Sequence, residues 1–484
     1  MINRRALSAR VVAASTLIAL RVSSLHAESA PAPSTEPGAR EPARASFDAR
    51  FAELSAGSGE ALTADETARR ARAKSHQDRA KQAALVVAAA RVDQALVALI
   101  PKLTLTGRYT RLSPITQPSF ISPEVAATLP PGVAEGFRFP VILNQYLLQA
   151  TLAVPLSDYV LRLTRDLSAA NRSRRAAELD LVAQRRKTAL DARLAYYSWV
   201  RAKGQEVVSE QSLEQSEAHL VDVRSSVEGG VASTADLRAA EAQLANSELL
   251  LAQAKNLSRL TEEQVRIALQ DAPDHGYLVG EDLRLPVGPS SEGFEELCRE
   301  ALRRRPELQS LAESAAALRE QASSAYAARA PRLDAVGNVY YQNPNQRYIP
   351  QRDRFDATWD VGVQLSWSPG DALSGGASGR DARARAEERD EERAALRDAL
   401  RVEVLNALQA CQEAEVAIKS GERAVAAAEE AYRVRRELFQ ERRAISVELT
   451  DAENELLRAR LVLVNGWVDA RVARAKLSYA VGRD

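Results

Sequence analysis

Cysteine occurs twice in 484 residues, methionine once, and aromatic side chains make up only 5% of the chain. Cys298 and Cys411 lie far apart in helical sequence, so each reads as a small buried apolar residue and not as half of a disulfide framework. Few aromatics, with Ala, Arg, Glu and Leu dominant, argue for extended helices and against a compact enzyme core. Net charge is missing too, since 65 basic residues cancel 65 acidic ones. Phosphate binding needs a net basic surface, so no nucleic-acid partner is expected. The four histidines, His26, His76, His219 and His275, are scattered and make no i,i+4 pair, so no metal site is expected on them. No glycine-rich phosphate loop follows a strand and no nucleophile elbow appears, so neither catalytic residues nor a cofactor is expected.

Long apolar runs are equally scarce. Beyond the first residues there is no uncharged stretch of eighteen apolar side chains, which excludes an ordinary transmembrane helix. The one short run, Val11 to Leu20, follows Arg4, Arg5 and Arg10 and precedes "SLHA" ending at Ala27. That is the pattern of a secretory signal peptide over 1–27, because ten residues are too few to span a bilayer. A Pro/Ala-rich leader over 28–60 is expected to be flexible.

What is present is written twice. "IPKLTLTG" at Ile100 to Gly107 is answered by "APRLDAVG" at Ala330 to Gly337, an offset of 230. "VPLSD" ending at Asp158 meets "WSPGD" ending at Asp371, an offset of 213, and "DLRAAEAQL" from Asp236 lies over "ELTDAENEL" from Glu448, an offset of 212. A tandem duplication with one longer loop in the first copy accounts for this. The first repeat is placed at 61–272, a linker at 273–293 and the second repeat at 294–484. Each copy runs helix, strand, loop, strand, very long helix, turn, helix.

Strands are expected at 103–111, 146–154, 333–341 and 359–367, each alternating apolar with polar or small residues. In "WDVGVQLSW", Trp359, Val361, Val363, Leu365 and Trp367 share one face. The span between the two tryptophans is about 27 Å, or about 20 Å of height after tilting, which matches the apolar band of an outer-membrane barrel with aromatic girdles. Tyr109, Tyr146 and Tyr341 are the other girdle candidates. Four strands cannot close a membrane barrel, which needs about eight. They must either lie under helices in a soluble α+β domain or join strands of other chains, and Thr, Arg and Gln on the opposite face suit a watery lumen.

The helices are too long for a compact domain. Tyr159 to Glu228 and Arg380 to Arg443 each contain no proline and one glycine, enough for roughly 100 Å of helix. Leu213, Leu220 and Val227, with Val223 between, and in the second copy Val425, Tyr432 and Phe439, recur every seven residues, the stripe of a coiled coil. Turns are expected at 228–233, where Gly229 and Gly230 supply a reversal, and at 441–446.

This order, with "RRPEL" opening the second copy and "YAVGRD" closing the chain, resembles the TolC family of outer-membrane channels from about Leu62 to Gly482. The resemblance implies a mainly α membrane protein of α+β class, in which three identical chains contribute four strands each to one 12-stranded β-barrel. Long coiled-coil helices continue that barrel as an α-barrel through the periplasm. It implies a homotrimer in outer-membrane lipid and two further partners, a periplasmic adaptor (membrane fusion protein) and an inner-membrane pump. Together these make the exit duct of a tripartite efflux or type I secretion system. The family position "V-D-x-x-D-A" carries acids that ring the periplasmic mouth, and here it reads "VELTDA", placing Glu448 and Asp451 as a cation-binding gate. Asp236, Arg442 and Arg443 are candidate gate partners. Departures from the pattern are "KSHQD" for an "NPEL"-like element in the first copy, and Glu441, Arg442 and Arg443 where a turn glycine is common. A secreted or periplasmic coiled-coil structural or adaptor protein is the competing expectation.

Overall fold

The computed structural model describes residue 50 and residues 60–115, 122–126, 128, 130, 141–273, 275–288 and 292–483. The expected signal peptide, nearly all of the leader, and parts of the 113–145 loop lie outside the described residues. The chain opens with β1 (Glu60–Leu62), α1 (Ala64–Lys74), α2 (His76–Val97) and β2 (Lys102–Arg111). Next come β3 (Asn144–Val154), α3 (Thr164–Glu228), α4 (Thr234–Leu269) and β4 (Tyr277–Val279). The second half is α5 (Phe294–Arg304), α6 (Pro306–Ala327), β5 (Arg332–Asn343), β6 (Asp356–Ser366), α7 (Pro369–Gln440) and α8 (Ser446–Val481).

Four strands form one antiparallel sheet in the order β2-β3-β5-β6. Its register sets Leu103 opposite Leu152, Leu148 opposite Tyr341 and Val339 opposite Trp359. The alternation therefore works at every rung, and apolar residues of all four strands share one face. Each strand exceeds its expected bounds at one or both ends except that β6 stops at Ser366, leaving Trp367 just outside, where its indole N–H donates to the Arg329 carbonyl (3.2 Å). The small parallel sheet of β1 and β4 was not expected. Three residues are too few for a periodicity to show.

The long helices α3 and α7 run 65 and 72 residues, roughly 100 Å each at 1.5 Å per residue. A π-turn over Tyr159–Leu163 precedes α3, where a continuous α-helix from Tyr159 was expected. Where α7 leaves β6 it packs against α6 through glycines, because a side chain at Gly375 would stand 2.6 Å from the Ala328 Cβ and one at Gly379 2.5 Å from the Tyr326 ring. Midway along the hairpins the main core gathers Tyr196, Trp199, Val200, Leu269, Val464, Trp467 and Val468 with β1 and β4. Cys298 and Cys411 are buried together in a second apolar cluster with Leu297 and Leu408.

Toward the tips the interior changes character. The buried face of α3 passes through Ser212, Ser216, His219 and Val223, at spacings of four and three. The apolar residues Leu213, Leu220 and Val227 that the heptad reading chose are only half-buried beside it. Hydrogen bonding supplements apolar packing here, as in the buried Ser216–Ser247 pair (2.9 Å).

Candidate functional site

Two surfaces carry the residues singled out by the sequence. The first is the apolar face of the sheet. Leu105, Val361, Val363 and Leu365 are 67–75% exposed and Trp359 is 68% exposed. Leu103, Tyr109, Leu148, Leu152, Val339 and Tyr341 complete an apolar surface that no helix among the described residues covers. A soluble protein rarely leaves so large a contiguous patch to water. Tyr109 and Tyr146 touch (ring centroids 5.1 Å apart), and Phe355 joins Tyr146 and Tyr341 at 5.8 and 5.1 Å. One end of the face is thus an aromatic cluster beside Trp359, while Trp367 stands at the other end.

The opposite face is polar and internally bonded. Thr151 donates to Asn338 (2.8 Å), and Asn338 donates to Asp360 (2.8 Å). Counted by register, this face carries Lys102, Arg108 and Arg332 against Asp334, Asp356 and Asp360. Both outer strands, β2 and β6, have a free edge of ten or eleven residues.

The second surface is the pair of hairpin tips. The turn after α3 ends in a left-handed residue, Gly230 at φ +73°, and the turn after α7 does the same with Arg442 at φ +66°. Their bonding is identical, since Gly230 N–H and Val231 N–H donate to Val227 and Ser226, and Arg442 N–H and Arg443 N–H to Phe439 and Leu438. Lacking a glycine, the second turn keeps its form by forcing an arginine into the conformation glycine prefers.

The first residues of α4 and α8 then diverge. Ser233 caps α4 and its hydroxyl and backbone bond Asp236 reciprocally, a complete capping box. The hydrogen bonds from the Ser233 side chain and backbone hold the Asp236 carboxyl below its usual range. At the equivalent place α8 has Ile445, which cannot cap, so Glu448 does not turn back and pairs with Arg435 of α7. Asp451 is exposed one turn along. Arg443 meets Glu441 at 3.5 Å, and neither Arg442 nor Arg443 pairs with Glu448 within the chain. The partner of Glu448 was not anticipated, although Arg435 lies thirteen residues before it across a tight turn.

Sequence reasoning also missed a buried cluster behind these acids. His219 Nδ1 lies 3.1 Å from Glu453 and Nε2 lies 3.0 Å from the Ser446 hydroxyl, with all three residues 3–4% exposed and Phe439 edge-on to the imidazole. Serine, imidazole and carboxylate in this order are a nucleophilic arrangement elsewhere, but here four helices enclose them and leave no room for a substrate. Among the described residues no group of three or more His, Cys, Asp and Glu side chains could hold a metal ion, and no helix is long and apolar enough to cross a membrane.

The family model for outer membrane efflux proteins matches residues 67–269 and 297–483 of this chain. Solved structures share the fold. The outer membrane protein VceC of Vibrio cholerae superposes with a TM-score of 0.71 at 18% identity, over 87% of this chain and 96% of that one. The CmeC outer membrane channel of Campylobacter jejuni gives 0.70 at 15% identity, over 89% and 91%. The open-state MtrE outer membrane channel of Neisseria gonorrhoeae gives 0.70 at 16% identity, over 87% and 88%. No curated protein matches the chain by sequence.

Proposed function

Because the chain belongs to the outer membrane efflux protein family, we propose that it works as a homotrimeric exit duct with an acidic gate at its periplasmic mouth. As an outer-membrane channel of an efflux system it conducts and does not catalyse. The observation that carries the duct is the sheet, with one exposed apolar face, one hydrogen-bonded polar face and two free edges. The strand directions alternate across β2-β3-β5-β6, so β6 of one copy meets β2 of the next antiparallel, and the sheet closes without exception to that pattern. Three copies give twelve strands, lipid outside and water within. Trp359 with Tyr109, Tyr146 and Tyr341 marks one membrane edge and Trp367 the other.

Energy and cargo choice come from an inner-membrane pump reached through a periplasmic adaptor. Glu448, half-buried, and Asp451, exposed, stand at the free end of α8 and, repeated by symmetry, set six carboxylates around the mouth. Such a ring attracts cations and disfavours anions. Asp236, spent on its own helix cap, contributes less, and Arg435 is the residue that neutralises Glu448.

Single-channel conductance of the detergent-purified protein in a planar bilayer tests both parts. Small cation-selective openings blocked by a divalent cation are expected, with block and selectivity weakened in Glu448→Gln plus Asp451→Asn. A protein that stays soluble without detergent would sink the duct; a pore indifferent to the double substitution would remove the gate alone.

A further inference from the structure

The heptad stripes leave one question open, namely what fixes the two hairpins against each other. Within a hairpin the register is set by a five-residue turn, 229–233 or 441–445. Between hairpins the sheet anchors one end, and the main core, with Tyr196, Trp199 and Val200 of α3 beside Val464, Trp467 and Val468 of α8, anchors the middle. From Val200 to His219 is 19 residues, about 30 Å of helix, and winding between 3.5 and 3.6 residues per turn shifts a helix face by about 20° in each heptad. Over nearly three heptads that is about 50°. Sheet and core therefore leave the facing of the tips unfixed.

A set of polar pairs crosses the α3–α8 seam along this length. Arg201 bonds Asp469 (2.5 Å), Gln205 bonds Asn465 (3.3 Å), Arg460 bonds Gln211 (3.0 Å), and His219 bonds Glu453 and Ser446. Steps of four, six and eight residues along α3 are answered by four, five and seven along α8. These intervals do not repeat. We propose that this aperiodic ladder of polar pairs, exposed at Arg201–Asp469 and buried at Gln211–Arg460 and at His219–Glu453, with His219 as its last rung, is the code that fixes the register of one hairpin on the other.

Apolar residues spaced by seven tolerate a slip of one heptad, since each finds another apolar residue. The ladder does not. Slipped one way, Glu453 faces Ser212 and Arg460 faces Gly204; slipped the other way, Glu453 faces Ser226, Arg460 faces Ala218 and Asp469 faces Val208. A buried carboxylate or guanidinium without its partner is costly. An ionised Glu453 only accepts, so Nδ1 of His219 must carry the hydrogen, and Nε2 is left for Ser446. Ser446 and Glu453 bracket Glu448 and Asp451 on α8, so the same rung orients the helix that presents those acids. That consequence rests on the gate reading; the register itself does not.

The test is disulfide mapping in the full-length trimer under a mild thiol oxidant, with the bonded peptides identified by mass. Val223→Cys with Leu449→Cys reports the native register, since both side chains lie in one apolar cluster. Val223→Cys with Leu456→Cys, and Ser216→Cys with Leu449→Cys, report a slip of one heptad in either direction. The native ladder is expected to give only the first bond. Replacing the inner rungs by apolar residues (His219→Leu, Glu453→Leu, Gln211→Leu and Arg460→Met) is expected to leave folding intact and to yield a slipped bond in comparable amount. Should that variant not accumulate, exchanging Ser212→His with His219→Ser keeps the composition and is expected to move the bond to the Ser216/Leu449 pair. The native bond as sole product in either variant overturns the proposal. Neither result depends on conductance, so failure here is distinguishable from failure of the gate.

Discussion

Arg442 and Gly230 occupy one backbone conformation with unlike side chains, and that difference is measurable. An L side chain in the left-handed region costs roughly 1–2 kcal/mol that glycine does not pay. Arg442→Gly is therefore expected to stabilise the second hairpin tip by about 1 kcal/mol, read as slower amide exchange over 438–450. The caps differ in the same way. Ser233→Ala should loosen the start of α4 by about 1 kcal/mol. Since the Asp236 carboxyl is held below its usual range by Ser233, its contribution is present above the ordinary aspartate pKa and is lost as pH falls through the lower folded value. Protection factors of the 234–240 amides, corrected for the intrinsic pH dependence of exchange, should fall in acid in the native chain, and Ser233→Ala should largely abolish that fall. Nothing comparable is expected at Ile445, which has no capping oxygen.

Among the elements, the strands were the most legible part of the sequence. Period-two alternation survives translation into structure because a one-residue error would turn every side chain to the wrong face, and Trp359 to Leu365 needed no tertiary context. The coiled-coil stripe was legible in its apolar members, since Val223, Val425 and Phe439 are buried and Leu220, Val227 and Tyr432 pack beside them, but its polar members were not. Ser212, Ser216 and His219 line the seam, and polar residues do not announce themselves in an apolar count. The His219–Glu453 pairing spans 234 residues, a separation at which a single sequence offers no signal. Close helix contact was also hidden, since glycines inside a helix usually read as weakness. Here Gly375 and Gly379 let α7 lie against α6. Gly379→Leu is expected to push the two helices apart at a cost of about 1–3 kcal/mol, seen as a lower thermal midpoint with the apolar sheet face still able to enter detergent.

At the scale of the whole molecule, the sheet face assigned to the lumen balances three basic residues against three acidic ones. In the proposed duct, a sheet lumen so balanced has little preference for the sign of its cargo, and discrimination falls to the proposed mouth and to the pump. The apolar face and the polar face were both readable from the sequence, but the two free edges, on which the proposed ring of copies rests, became plain only with the strand order β2-β3-β5-β6.

Those edges have a genetic consequence. A ring closed by identical joints fails if one joint fails, so a chain that folds its sheet but carries Val361→Pro on the β6 edge should be dominant over its normal counterpart. Expressed in equal amounts, normal and altered chains would leave about one eighth of rings intact if three copies close the barrel, and about one quarter if two do. The surviving fraction of efflux in such a mixed cell counts the subunits, and inheritance of the defect would follow the arithmetic of the ring.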